Sequence, residues 1–169
     1  MKPFILLCML CAMGSAGVRA DQVTLQVTGT IRGAGCEVDS ASKNLQIALG
    51  DAPAGSFQQA GKTGDWINFS LSVINCPATT TAVTATFTGA SAPTDTRYYA
   101  NTGTGAGLAL ELSTGDHSTT LRPGATLIKP VNPDDHSAPF PLAARYVATG
   151  EKLVAGTFQS AIQVTFTYQ

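Results

Sequence analysis

Asp134-Asp135-His136-Ser137 places an acid, a base and a hydroxyl nucleophile in one short run. A Ser-His-Asp hydrolase needs those three residue types, but it needs them to converge in space. Adjacent residues do not usually meet in that geometry, and the run lies between Pro133 and Pro139, so it reads as a solvated turn. His117 and His136 are the only histidines, and they lack the spacing of a metal-ligand pair. Asp134-Asp135 is a thin basis for calcium, since two acids in a loop normally just face water. Trp66, Tyr98 and Tyr99 have the ring chemistry of a sugar-stacking platform. Against that, Trp66 opens an apolar alternating series and the tyrosines flank a loop. Asn68-Phe69-Ser70 fits the glycosylation pattern but falls within a strand-like segment. These residues point to no catalytic site, no metal and no cofactor, so the chain is not read as an enzyme.

The four cysteines divide into two groups. Cys8 and Cys11 lie in an N-terminal stretch with a single early charge, Lys2, an uncharged apolar run from Phe4 to Met13, and Val18-Arg19-Ala20 at a small-residue cleavage position. That pattern predicts a signal peptide over residues 1–20, too short to span a bilayer and without a convincing lipid-attachment pattern. Cys36 and Cys76 remain. An even pair in an exported chain reads as one disulfide. Neither has a neighbouring His or a Cys-x-x-Cys partner to make it reactive.

The elements that carry these residues are strands. The chain has 169 residues, which suits one domain, and only 12% are charged. The formal net charge of -1 comes with no basic stripe, which argues against a nucleic-acid partner. Threonine, with 22 copies, favours strands. Period-two alternation recurs along the chain. Val23, Leu25, Val27, Gly29 and Ile31 form one series, and Leu45, Ile47 and Leu49 close a second strand-like region that starts at Cys36. The Gly50–Gly64 stretch reads as a loop with room for a short helical turn. Ile67, Phe69, Leu71 and Val73 alternate up to Cys76, as do Val83, Ala85 and Phe87. Leu108, Leu110 and Leu112 make a short strand. Residues 121–131 hold one or two more, interrupted by Pro123 and Pro130, and Phe140, Leu142, Ala144 and Tyr146 follow. In the last series Phe158, Ser160, Ile162, Val164, Phe166 and Tyr168 share one face. Short strands at this spacing predict an immunoglobulin-type sandwich.

Two features do not suit a closed sandwich. The last strand has nothing after it to pair with its outer edge, and long apolar edges are normally protected. A strand-like arm precedes Cys36, separated from the core by Gly33 and Gly35. Either the arm pairs within its own domain, or it is built for another molecule and the open edge receives a neighbour's arm.

At this point the sequence resembles the pilins of the chaperone–usher pathway, and among them the minor tip-fibrillum subunits of type 1 fimbriae. The resemblance is carried by the penultimate Tyr168, by Gly156 twelve residues before it, by the alternating apolar set between them and by the positions of Cys36 and Cys76. Asn75-Cys76-Pro77, Tyr98-Tyr99 before Asn101, Phe140-Pro141-Leu142 and the segment Val23–Gly29 add to it. It implies an all-β, incomplete immunoglobulin-like sandwich lacking its C-terminal strand. A donor strand from a periplasmic chaperone, and later from the next subunit, would complete it. Such complementation is a known form of β-strand addition. On this reading residues 21–33 are the donor arm and 34–169 the pilin domain. Val23, Leu25, Val27, Gly29 and Ile31 are the donor residues, Gly29 filling its pocket only shallowly. Gly156, Phe158, Ile162, Val164, Phe166 and Tyr168 form the acceptor edge, and the carboxylate of Gln169 is held by the chaperone. The implied partners are that chaperone, an outer-membrane usher, neighbouring pilins and a tip adhesin, on a fimbria at the bacterial cell surface. A minor tip adaptor fits better than a major rod pilin of the same family. A different class of reading is a self-complete secreted sandwich that binds a ligand such as a carbohydrate.

Overall fold

The computed structural model describes residues 35–169. The leader expected over 1–20 and the arm expected over 21–33, with Val23, Leu25, Val27, Gly29 and Ile31, lie outside the described residues.

Alternation of apolar and small polar side chains builds two antiparallel sheets. The four-stranded sheet has the order β1 (Glu37–Val38), β2 (Ile67–Ile74), β6 (Ala138–Ala148), β4 (Leu108–Thr114). The three-stranded sheet has the order β5 (Thr126–Pro130), β3 (Ala82–Gly89), β7 (Ile162–Tyr168). The inward faces pack on each other as a sandwich. Val73, Val83, Phe87, Phe140 and Leu142 form its buried centre. Phe140 of one sheet meets Phe166 of the other with ring centroids 5.4 Å apart. The short turn expected in the 50–64 loop is a 3-10 helix, Ala54–Phe57, which buries Phe57.

Proline positions follow from the pairing. Pro139 and Pro141 sit in β6, a central strand, where a missing N–H should break a ladder. Pairing of β4 with β6 begins only at Leu142, and Pro141 uses its carbonyl to accept from Gly115 N at 2.9 Å. The two prolines therefore turn their N–H-less side to the part of β6 that lies beyond the end of β4, and the β2 ladder is intact.

The sequence expectation fails most clearly between Cys36 and Leu49. Only Glu37–Val38 pairs, with Val73 and Ile74 of β2. Asp39 then caps a one-turn helix, α1 (Ser40–Lys43), by accepting from Ala41 N. Beyond it, Leu45, Ile47 and Leu49 keep their alternating spacing but join no ladder among the described residues. The 121–131 region holds one strand, not two. Cys36 and Cys76 form a disulfide across 40 positions and tie β1 to the end of β2.

Candidate functional site

The register of β7 on β3 leaves one side of β7 open. Gln169 and Ala82 exchange both main-chain hydrogen bonds, at 2.9 and 3.1 Å. Hydrogen bonding alternates along an antiparallel pair, so the odd-numbered residues of β7 bond to β3. Ile162, Val164, Phe166 and Tyr168 point their N–H and C=O groups the other way. No described strand pairs with them there. The side chains of Ile162, Val164 and Phe166 are half-buried and pack against the core cluster.

Facing this open edge is the irregular segment Leu45–Gly50. Among the described residues no main-chain hydrogen bond reaches Leu45–Leu49. Between the two lips lies a groove of about 1150 Å³. Its apolar floor includes Phe69, Leu71, Phe87, Leu110, Leu112 and Leu142. The lips run in opposite directions. At one end Val38 pairs with Val73, which is opposite Ala138, and Phe166 meets Phe140. At the other end the Tyr146 hydroxyl donates to Gly50 O at 2.9 Å, and the Tyr146 ring meets Phe158 edge-on at 4.9 Å. Burial, and after it the charge of Asp51, raise the Tyr146 pKa, so the hydroxyl stays a donor beyond the ordinary tyrosine range.

The residues expected at this edge are not all placed alike. Phe158 lines the groove but precedes β7, as does Ser160. Gly156, expected at the acceptor edge, precedes β7 and is not among the residues that line the groove. A Cβ there would come within 2.5 Å of Gly105 N, so glycine is needed for the close approach of two backbones. Asn101 clamps that approach. Its side chain donates to Gly105 O and accepts from Gly103 N and Gln159 N, each at 2.8 Å. The paired threonines Thr104 and Thr157 each accept from the other's backbone N–H. Tyr168 closes the far end of β7 instead of filling the groove. It is 37% exposed, and its ring lies over Gly35, where an added Cβ would meet it at 2.7 Å. Gln169 is bound through its backbone to Thr81 and Ala82.

The other chemistry-bearing residues go elsewhere. Ser137 Oγ donates to Asp135 at 2.8 Å within the 132–137 turn, and His136 takes a positive φ there. Tyr99 is fully buried in the core beneath Gly89, while Tyr98 stays near Arg97. Trp66 lies just before β2, on its outward side. It stacks on His117 at 4.6 Å and carries the Arg145 guanidinium at 4.0 Å from its ring centroid. Trp66, Tyr98 and Tyr99 therefore form no common platform. Arg145 also bonds Glu111 at 2.7 Å, directly opposite it across β4 and β6. That ion pair was missed, although a lone charge of opposite sign inside each of two apolar strands was the available signal.

The described residues form a seven-stranded sandwich with an open apolar groove beside β7, the architecture of a pilin-type immunoglobulin-like subunit. The comparisons agree. Residues 25–169 match the family described as Fimbrial protein. The chain is 36% identical over 159 residues to Protein FimG of Escherichia coli (strain K12), covering 94% of this chain and 92% of that one. It is 34% identical over 150 residues to the S-fimbrial adhesin protein SfaS of Escherichia coli O6:K15:H31 (strain 536 / UPEC), covering 89% and 87%. The P pilus rod subunit PapA shares the fold, with a TM-score of 0.69 at 19% identity, over 80% of this chain and all of that one. The chain belongs to the fimbrial protein family. It is a structural subunit, exported and assembled with other pilins into a fimbria on the cell surface.

Proposed function

We propose that this chain is a minor tip adaptor of a type 1-like fimbria that links adhesin to rod by donor-strand exchange. The observation that carries the reading is the groove: two oppositely directed lips, unpaired among the described residues, above an apolar floor. A strand laid between them would pair on both sides and bury alternate side chains. The arm at residues 21–33 has that alternation, with Val23, Leu25, Val27 and Ile31 on one face and Gly29 between them. It is assigned to the groove of a neighbouring subunit. The groove of this chain receives first a strand of a periplasmic chaperone and then the arm of another pilin, delivered at an outer-membrane usher. Fully burying one arm side chain contributes roughly 1.5–3 kcal/mol, so four support a slowly dissociating joint. The Tyr98-Tyr99 and Phe140-Pro141-Leu142 neighbourhoods, which resemble those of minor tip subunits, favour the tip position over the rod. The role is mechanical, not enzymatic.

The test uses the mature chain without residues 21–32, its disulfide intact. Thermal unfolding is followed alone and with a peptide of residues 21–33. Strong stabilisation and slow release support strand donation. Equal stability with and without peptide would show a self-complete sandwich and end the proposal.

A further inference from the structure

At one end of the groove a single side chain connects the two lips. There Tyr146 holds the Leu45–Gly50 lip through its hydroxyl, which donates to Gly50 O at 2.9 Å. It holds the β7 lip through its ring, which meets Phe158 edge-on at 4.9 Å. Each lip end is itself secured. Gly50 takes a positive φ, which favours glycine. Gln159, next to Phe158, bonds through both its main-chain groups to Asn101 and Thr102. A floor residue of β6 thus spans the groove and sets its width at this end. At the opposite end, around Phe166, no described side chain hydrogen-bonds one lip to the other.

We infer that Tyr146 is a positioning residue that gauges the end pocket of the groove and selects which arm side chain can seat there. The inference rests on the strand-donation reading above. The β7 edge is a regular ladder and the facing lip is not, and antiparallel pairing is the more stable. An arm that runs antiparallel to β7 brings its C-terminal part, at the position that Ile31 holds in the 21–33 arm, to Phe158 and Tyr146, and its N-terminal part, at the position of Val23, to Phe166. A β-branched side chain is stiff at χ1 and fits a pocket of set width. Tyr146 therefore acts on the Ile31 end of the joint and not on the Val23 end.

Tyr146→Phe removes the hydroxyl and keeps the ring. The mature full-length chain, wild type or variant, is refolded with a fluorescent peptide of residues 21–33. Release is timed after adding excess unlabelled peptide. The net worth of one hydrogen bond corresponds to about 5-fold faster release from the variant. Two shortened peptides supply the readout that a merely structural role would not move. The effect is expected to vanish with residues 21–29, which do not reach the Tyr146 end, and to persist with residues 25–33. Phe158→Leu, which loosens the same contact from the other lip, is expected to show the same dependence on peptide length. Equal acceleration for all three peptides, or none for any, would overturn the role of Tyr146 while leaving strand donation standing. Failure of the wild-type chain to hold the full peptide would overturn both.

Discussion

Phe166 separates a groove residue from an ordinary core residue. It sits in β7 opposite Ala85 and touches Phe140 across the sandwich, yet it is only half-buried. A Phe side chain buries on the order of 200 Å², and a ring of intermediate exposure leaves about a quarter of that, roughly 50 Å², open. At ~25 cal/mol per Å², covering the remainder with a donor strand adds about 1 kcal/mol. Phe166→Ala in the empty domain should cost about 2 kcal/mol, less than the ~3–5 of a fully buried Phe. With the arm peptide bound it should cost about 1 kcal/mol more. Peptide-induced stabilisation therefore shrinks by about 1 kcal/mol in the variant, or about 4 °C in thermal midpoint for a domain of this size. The assay is calorimetric unfolding with and without saturating peptide of residues 21–33. Leu121→Val is the control, because Leu121 is 2% exposed in the core and does not line the groove. It should cost about 1 kcal/mol in both states and leave the peptide increment unchanged. Equal increments in wild type and Phe166→Ala would refute the placement of Phe166 under a donor strand.

Replacing both Cys36 and Cys76 by Ala releases a closure of 40 positions. The chain-entropy relation puts the loss at about 4 kcal/mol, to be read as a lower urea midpoint. Glu111→Gln leaves Arg145 without its ion partner inside the β4–β6 pair. Arg145 keeps part of its surface in water and its contact with Trp66, so the expected loss is about 2 kcal/mol, below that of a wholly buried pair, measured by chemical unfolding at constant slope. Stability should also fall in alkali. Burial raises the pKa of Tyr99, Tyr146 and Tyr168 above the ordinary 10.0, so unfolded chains ionise first. Their contribution is complete below pH 10 and is lost as pH rises through the folded-state values. Tyr146→Phe should flatten part of that decline in a pH series of unfolding midpoints, and an unchanged slope would contradict it.

Much of this protein is legible in the sequence because period-two alternation is a local property. Ile67–Val73, Val83–Phe87, Phe140–Tyr146 and Ile162–Tyr168 each declare an inner and an outer face without knowledge of their partners. The even pair of cysteines declares a disulfide in the same way, and the C-terminal series with Gly156 and Tyr168 declares the family. Pairing is not local. Leu45, Ile47 and Leu49 alternate like any strand, yet they line one lip of a groove, since strand character requires a partner edge and none of the described strands offers one. Gly156 and Tyr168 follow the family spacing, but the first lies in a backbone crossing held by Asn101 and the second covers Gly35. Trp66 is one residue out of phase with Ile67, Phe69, Leu71 and Val73 and so faces outward, but the sequence does not show that His117 and Arg145 arrive there from a distant turn and strand. The sequence by itself determined the strands, their buried faces, the disulfide and the kinship. Tertiary structure alone decided which edges stay open, how the two lips are joined through Tyr146, and that Glu111 and Arg145 meet. Those outcomes depend on residues far apart in the chain, whose approach is set by sheet order and register and by no local pattern.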